Sequence, residues 1–536
     1  MSDAGKMPDV EIVPGTVVMK NVDDGNVKRA LGNGLVLSPQ PSCDLNDPLN
    51  WSTTWKLITA TSQLLYVWVL VCSALSLAPL FPLLGQEFHL DQQQLSLLTG
   101  TNVLTLGFAN VLIVPVANIF GRRPVAIFFG ILVVLTNVWQ AIATSHESLL
   151  AARACNGIAA ATSETIMVQT IADMFFLHER ATWMAAYFTF YFSGAFLGPI
   201  IAGSIGSHYG WRSFFWLSVA MSAFVTVLLI FCYPETKFSR QQDVDDVCIE
   251  VPTKDVEQSP VHEKGVTSQR DSGVVDGLYL RKGRPGKTQF APVTRPEKKW
   301  KSFVIRDLTT PILAFFNPIV FWSAMMLAGP ADLLLLFNLT QSGLFSSPAY
   351  GFTPEIVGYT NFAFFVGGLF GVLTAGPLSD WWASRMTWRN NGVREPEFRL
   401  PALFPYCCIF IISHVVGAVG YQRLWPWQAI VICGFGFSGL AVTSIPAIAI
   451  AYAIDCYKPI SGEIMVVGTV LKNILGFCLS YWVFDIMATK GWITVYMIQF
   501  AVGMFPVALT IPLYLYGKNL RRWTKDSSLH RMESMF

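Results

Sequence analysis

Residues 95–143 read LSLLTGTNVLTLGFANVLIVPVANIFGRRPVAIFFGILVVLTNVWQAIA. Two apolar runs, 95–117 and 124–143, are separated in this stretch by the short polar loop 118–123. Each run has about the 20 mostly apolar residues that an α-helix needs to cross a bilayer. The stretch therefore predicts two successive membrane-spanning helices.

The same kind of apolar run recurs along the rest of the chain. Six runs precede residue 234 and six follow residue 310. The predicted spans are 57–84, 95–117, 124–143, 148–174, 183–206, 212–233, 311–337, 355–378, 401–420, 427–454, 462–485 and 493–516. Two sets of six on either side of a charged segment indicate two related halves, the arrangement of many secondary transporters.

The composition agrees with a membrane protein and excludes other classes. Of the 536 residues, 53% are hydrophobic and 13% are charged, whereas a soluble domain has about 25% charged residues. The mean hydropathy is +0.46. A net charge of +2 leaves no basic excess for binding nucleic acid. The ten cysteines form no CxxC pair and no cluster with metal-site spacing, which supports neither a zinc site nor a disulfide framework. We expect no metal and no cofactor.

The segments outside the spans set the expected domain boundaries. We predict a cytosolic tail at 1–55, a six-helix bundle at 56–233, a cytosolic and largely disordered linker at 234–310, a second bundle at 311–516 and a cytosolic tail at 517–536. Lysine and arginine concentrate in the loops on the side of both termini, which the positive-inside rule assigns to the cytosol. We expect a monomer in the lipid bilayer of the plasma membrane, with the vacuolar membrane as the alternative.

One glycosylation sequon lies near the outer end of predicted span 7. It is Asn338-Leu339-Thr340, so Asn338 is the candidate acceptor. Such sequons are frequent by chance, and the closeness of this one to the membrane argues against its use. The sequence leaves the modification of Asn338 open.

Short motifs in and between the spans carry a family resemblance. The segment 114–124, VPVANIFGRRP, resembles the signature G-x-x-x-D-[RK]-x-G-[RK]-[RK] of the major facilitator superfamily, and 376–380, GPLSD, is similar to its start in the equivalent loop of the second half. The segment 153–157, RACNG, is similar to the R-x-x-x-G element of span 4. The segment 194–203, GAFLGPIIAG, is similar to the antiporter element of span 5. Together these motifs resemble the fungal branch of the twelve-span drug:proton antiporters.

The resemblance implies an all-α fold of twelve transmembrane helices in two pseudo-symmetric six-helix bundles that work by alternating access. It also assigns two sets of conformational residues. The gate would contain Asn118, Gly121, Arg122, Arg123 and Asp380, and the antiporter element would contain Gly194, Gly198, Pro199 and Gly203. Asp173, near the inner end of span 4, is either a further gate residue or a helix-end residue. Ordinary packing of small residues between helices is the alternative for the second set.

The first loop departs from the family pattern at two positions. Asn118 stands where the family has an acid, and Val114 replaces the first glycine of the signature. An amide still forms hydrogen bonds but has no charge. Either the gate is weaker for this reason, or Asp380 carries more of its function.

Ionisable groups inside predicted spans are candidates for function because such groups are costly in lipid. Arg153 lies in the outer half of span 4, and Glu164 lies about three helical turns deeper on nearly the same face. Burial disfavours a charged carboxylate, so Glu164 is a candidate for proton coupling. The alternatives are a packing role for Glu164 and an interfacial, snorkelling position for Arg153.

The second half and the aromatic runs supply the other cavity candidates. Asp332 either binds a cationic substrate or lies at a helix end. Lys472, next to Asn473, pairs with a carboxylate across the bundle, attracts an anionic substrate or snorkels to the inner face. Tyr191 and Phe365 represent the aromatic clusters of spans 5 and 8, which suit a bulky organic ligand.

Three functions are compatible with these patterns. The first, which we favour, is proton-coupled efflux of a small organic compound such as a drug, toxin or secondary metabolite. The second is proton-coupled import of a small cation or nutrient such as a polyamine. The third is a receptor or membrane enzyme, but the chain has no G-x-x-x-x-G-K-[ST], H-E-x-x-H or G-x-S-x-G motif, so we expect no enzyme.

Overall fold

The structure, a computed structural model, describes residues 15–18, 42, 44, 46–238, 283–291, 300–390, 392–457 and 460–524. These residues are mostly α-helical, as predicted. The helices are α1 (Thr53–Leu75), α2 (Phe81–Phe88), α3 (Gln92–Phe120), α4 (Arg122–Ile142), α5 (His146–Ala160), α6 (Thr162–Met174), α7 (Leu177–Tyr209), α8 (Trp211–Cys232), α9 (Trp300–Phe315), α10 (Pro318–Phe345), α11 (Pro354–Thr360), α12 (Phe362–Arg389), α13 (Phe404–Arg423), α14 (Trp427–Ala429), α15 (Phe437–Cys456), α16 (Ser461–Lys490) and α17 (Trp492–Trp523). A short antiparallel pair joins β1 (Val17–Val18) to β2 (Val393–Arg394).

Within the described residues, 11 helical segments are long and apolar enough to cross a membrane. Predicted span 4 is missing from this set because the helix is divided at Ala161. Its two parts, α5 and α6, have 15 and 13 residues and are each too short to be counted. Together they supply a further span, which makes the count consistent with the predicted twelve-helix fold.

Equivalent turns in the two halves are built in the same way. Gly210 joins α7 to α8 with φ 80°, and Gly491 joins α16 to α17 with φ 82°. Glycine adopts this left-handed backbone region without the steric cost that other residues meet there. These turns lie between spans 5 and 6 and between spans 11 and 12, so their recurrence supports the relation between the halves.

The two bundles meet mainly where α3 packs against α16 and where α7 packs against α11 and α12. We call the side on which α3 and α17 end the inner side, and the opposite side the outer side. On the outer half of this contact the hydroxyl of Ser96 donates to the carbonyl of Ser480 at 2.6 Å. Glu164 and Lys472 meet between the bundles, further toward the inner side.

The predicted linker contains more regular structure than expected. Helix α9 begins within it and ends at Phe315, inside the predicted span 7. Span 7 therefore begins at Pro318 rather than at 311, because the end of α9 supplies the first apolar residues of the predicted run. Asn317 separates the two helices and caps α10 by accepting from the amide of Ile319 at 3.0 Å. Helix α17 likewise continues past the predicted end of span 12. Residues 239–282 of the linker lie outside the described residues.

Candidate functional site

An ion pair joins the two bundles near the middle of the molecule. The ammonium of Lys472 on α16 lies 2.7 Å from Oε1 of Glu164 on α6. The hydroxyl of Tyr191 on α7 donates to the same oxygen at 2.7 Å, and Lys472 lies 3.3 Å from that hydroxyl. The structure therefore agrees with the predicted alternative in which Lys472 pairs with a carboxylate across the bundle.

The second oxygen of Glu164 is also bonded from both bundles. Asn110 on α3 donates to Oε2 at 2.8 Å, and Asn473 on α16 lies 3.4 Å from it. Glu164 is almost fully buried. Breaking a buried ion pair by neutralising one partner leaves the other charge uncompensated, at a large cost in free energy. Protonation of Glu164 would therefore weaken the contact between the bundles at Lys472.

A second carboxylate lies close to this cluster. Asp332 on α10 is 2% exposed and lines the same cavity as Glu164 and Lys472. Within the described part of the chain its carboxylate has no hydrogen-bond or ion-pair partner. Asp332 is thus in the interior, and its predicted alternative as a boundary residue at the helix end is wrong.

The cavity between the bundles has an empty volume of about 1100 Å³ and mostly apolar walls. Aromatic side chains dominate one wall, namely Tyr187, Phe188, Tyr191, Phe192, Phe196 and Phe364. Phe364 stacks on Phe435 with ring centroids 4.5 Å apart. The structure has Phe364 on the wall in place of the predicted Phe365, because one residue rotates a helical side chain by about 100°.

Within the described residues, three polar atoms on the side chains that line the cavity have no protein partner. They are Oδ1 of Asn361, Oδ1 of Asn338 and Oγ1 of Thr99. The amide nitrogen of Asn361 is held by Gln341 at 3.0 Å, which leaves only its oxygen unbonded. Asn338 lies inside α10 on the cavity wall rather than at the outer end of the span, and this position does not suit glycosylation.

Arg153 lies away from the cavity and packs inside the first bundle. It is fully buried, and its guanidinium donates to the carbonyl oxygens of Ala74 at 2.6 Å and Leu98 at 3.2 Å. These carbonyls are on α1 and α3, so Arg153 on α5 ties three helices together. Both earlier interpretations, a cavity-facing group and a snorkelling cation, are wrong for this reason.

The predicted inner gate of the first half forms a connected polar cluster. Arg122 lies 3.0 Å from Asp173, and Gly121 makes the turn between α3 and α4. The carboxylate of Glu235 accepts from the backbone amides of Arg122 at 3.0 Å and Arg123 at 3.1 Å. Glu235 had no predicted role, because it lies in the polar segment that was assigned to the linker.

Asn118 and Arg123 contact the segment that connects the two bundles in the sequence. Nδ2 of Asn118 donates to Oδ2 of Asp307 on α9 at 2.5 Å. Arg123 is buried and donates to the carbonyl oxygens of Phe290 and Ala291, both at 2.6 Å. Neither partner was predictable, because both regions were assigned to the linker.

The second half has a separate gate cluster. The guanidinium of Arg399 lies 2.7 Å from Asp380 and 2.7 Å from Asp455. The side chain of Asp380 is 64% exposed. Arg399 was missed as a partner because it was counted only among the positive loop residues.

The glycines of the antiporter element allow close backbone contacts on both sides of α7. A Cβ atom on Gly194 would lie 2.7 Å from the carbonyl oxygen of Trp68 on α1. On Gly203 it would lie 2.5 Å from the carbonyl oxygen of Pro354 and 3.2 Å from Gly358, both on α11. Gly198 lies against α1, next to Pro199. The element therefore connects α1 of the first bundle to α11 of the second.

Two helical bundles around a central cavity with an ion pair across its wall define a multi-pass membrane transporter. The chain belongs to the Major Facilitator Superfamily, whose sequence profile matches residues 64–480. This confirms the family resemblance that the motifs indicated. Transporters of this family bind small-molecule substrates, and they are not enzymes as a rule.

The chain is similar over nearly its whole length to fungal transporters. It is 26% identical to Protein HOL1 of Saccharomyces cerevisiae, over 96% of each chain. It is 25% identical to the MFS-type transporter penM of Penicillium rubens, over 93% of this chain and 92% of that one. It is 22% identical to the efflux pump radE of Floropilus chiversii, over 89% and 83% of the two chains.

Proposed function

We propose that this chain exports a small organic cation in exchange for protons, by alternating access of the central cavity. The observation that carries this proposal is the carboxylate of Asp332, which is buried beside an aromatic wall and has no partner in the described residues. A buried carboxylate without a partner is costly. A cationic substrate lowers that cost and stacks on the aromatic side chains.

The second carboxylate of the cavity supports the coupling to protons. Glu164 already has a cation, Lys472, from the other bundle. Protonation of Glu164 releases Lys472, so proton uptake changes a contact between the bundles instead of competing directly for the substrate. In this proposal Asp332 binds the substrate and Glu164 binds the proton. Both side chains line the same cavity, so the movement of the substrate is linked to the movement of the proton.

The direction of transport rests on similarity. The relative from Floropilus chiversii is named an efflux pump, and the glycine element of α7 is similar to that of antiporters. Import of a small cation such as a polyamine is the second candidate, and Asp332 favours it equally because it would bind the same charge. We further propose a monomer in the plasma membrane, with both termini in the cytosol and the vacuolar membrane as the alternative location.

The test is the accumulation of radiolabelled organic cations in cells that express the chain, with and without a protonophore. A library of amphiphilic drugs and linear amines is the input. Export predicts lower accumulation than in control cells, and the protonophore abolishes the difference. Accumulation above that of control cells, if the protonophore abolishes it, would contradict export and support import. Accumulation that is unchanged for every cation contradicts the proposal for a cationic substrate.

A further inference from the structure

The contact between α3 and α16 is close on the outer half and open on the inner half. On the outer half, a Cβ atom on Gly100 would lie 2.7 Å from Cβ of Ser480, and near the middle of the helices one on Gly107 would lie 2.6 Å from Cβ of Asn473. On the inner half, Val114 of α3 and Val466 of α16 line a second cavity with an empty volume of about 620 Å³. The two helices therefore diverge toward the inner side.

Helix α9 occupies the space that this divergence leaves. It packs against both α3 and α16. Asp307 on α9 is 4% exposed and lines the second cavity together with Asn118 and Glu463. Beyond its last turn, only Phe316 and Asn317 connect α9 to α10, so a change at this joint would allow it to move separately.

Asp307 makes the polar contact between α9 and the first bundle. Its Oδ2 accepts from Nδ2 of Asn118 at 2.5 Å, and its Oδ1 lies 2.8 Å from the guanidinium of Arg306. Asn118 is the position at which the signature has an acid and this chain has an amide. The carboxylate at this junction therefore comes from α9, 189 residues further along the chain.

We propose that α9 is a lid over the inner mouth of the transport path and that Asp307 supplies the gate carboxylate that position 118 lacks. Glu164 and Thr469 line both cavities, so the path from the inner side to the ion pair passes beneath this lid. Helices α3 and α16 cannot close on the inner side while α9 lies between them. The lid must leave this position in each transport cycle, and the bond between Asn118 and Asp307 sets how readily it does so.

The test uses a cysteine at position 469 as a reporter of access beneath the lid. Thr469→Cys is purified in detergent, and its reaction rate with a cationic methanethiosulfonate reagent is measured against the same protein without the reporter. Asp307→Ala removes the bond, and Asn118→Asp places two carboxylates side by side. Each change is expected to raise the reaction rate by about tenfold, the usual contribution of one charge-assisted hydrogen bond.

The exchange Asn118→Asp/Asp307→Asn restores one carboxylate and one amide with their positions reversed. The reaction rate of this double variant is expected to return to within about twofold of the reporter protein. Thr309→Ala is the control and leaves the rate unchanged, because Thr309 is exposed on the same helix and its hydroxyl donates to the backbone carbonyls of Ile305 and Arg306. Val466→Cys serves as a second reporter if Thr469→Cys does not fold.

Two results would overturn the proposal. An unchanged rate in Asp307→Ala would mean that the bond does not hold the lid. Fast reaction in both single variants without recovery in the exchange variant would mean that the substitutions disturb the helix and that the carboxylate has no gate role.

Discussion

The ammonium of Lys472 and the carboxylate of Glu164 lie 2.7 Å apart, although 308 residues separate them in the chain. One group belongs to each bundle, and both line the central cavity. Any movement that separates the bundles at this point must break the ion pair. The charge that is left without a partner must then be neutralised. In our account, a proton neutralises the carboxylate of Glu164, and the carboxylate of Asp332, which has no partner in the described residues, binds the substrate.

Substitution of Asp332 tests the binding of the substrate. Asp332→Asn is expected to raise the KM for a transported cation at least about tenfold, because roughly 1.4 kcal/mol of attraction is lost with the charge. The maximal rate changes less, since the Glu164–Lys472 pair is intact. The measurement is initial-rate transport in proteoliposomes over a range of substrate concentrations.

Asp485→Asn is the matched control for this experiment. Asp485 is an exposed carboxylate on α16, so its removal leaves the KM unchanged. An equal KM in wild type and Asp332→Asn would exclude Asp332 from the binding site.

Arg153 is expected to act on stability and not on transport kinetics. Arg153→Gln weakens the contacts with Ala74 and Leu98, and removing charged donors from buried carbonyls costs about 2–4 kcal/mol. The purified variant is expected to have a lower melting temperature, with the KM of its folded fraction unchanged. Arg212→Gln is the control, because Arg212 pairs with Glu87 at 2.6 Å near the surface, where such pairs contribute about 0–1 kcal/mol. A raised KM with normal thermal stability would contradict this prediction and would indicate that Arg153 contacts the substrate cavity.

Gly203 tests the contact between α7 and α11. Gly203→Ala places a Cβ atom 2.5 Å from the backbone oxygen of Pro354, and relief of this overlap costs about 1–3 kcal/mol. We expect a loss of transport together with lower thermal stability. In the control Gly376→Ala the new Cβ meets no atom within 4 Å, so alanine is tolerated there. If both variants transport equally well, the element has no role in closing the bundles together.

A buried cluster on the inner side of the second bundle should dominate its stability. Arg521 is fully buried and lies 2.7 Å from both Glu395 and Glu397. Arg521→Met removes the buried cation from Glu397 and leaves Glu395 paired with Lys518 at 3.0 Å. Breaking such a buried ion pair costs about 3–5 kcal/mol. Arg522→Met, at the exposed neighbouring position, changes the free energy of unfolding by less than about 0.5 kcal/mol. Thermal unfolding in detergent compares the two, and equal melting temperatures would contradict this prediction.

The same cluster predicts a sensitivity to acid. Burial raises the pKa of Glu395, but hydrogen bonds from Arg521, Thr16 and Lys518 outweigh burial, and the net pKa is lowered. A carboxylate with a lowered pKa in the folded state stabilises the fold above its unfolded pKa of about 4.3. That contribution is lost as the pH falls through the lower folded value. Wild type should therefore lose more stability on acidification than Arg521→Met.

The apolar runs were enough to predict the membrane-spanning helices, because each span carries its own signal, and the short motifs in and between the spans were enough to predict the family. The position of Glu164 along span 4 also predicted an interior side chain, and Glu164 is almost fully buried. Its pairing with Lys472 stayed one of several alternatives, since no local pattern fixes which helices meet across a cavity. Arg153 was misplaced for a related reason: the hydrophobic period of a span does not show which face meets another helix and which meets the cavity.

The inner gate was the least predictable part. Asn118 was recognised as a departure from the signature, and Asp380 was considered as its substitute. In the structure Asp380 pairs with Arg399 instead, and the partner of Asn118 is Asp307. Helix α9 begins in a polar segment and continues into an apolar run. Its sequence therefore resembles the start of a membrane span, and a separate helix was not predicted there.

The most direct test of the account is proton-driven transport by Glu164→Gln. Glutamine keeps the size of the side chain and can still bond to Tyr191 and Asn110, but it cannot change charge. In inside-out vesicles with an imposed pH gradient, the wild type is expected to accumulate the cation against its concentration gradient. The variant is expected to exchange labelled for unlabelled substrate but not to respond to the pH gradient. Proton-driven uptake by Glu164→Gln at the wild-type rate would contradict the coupling role of Glu164.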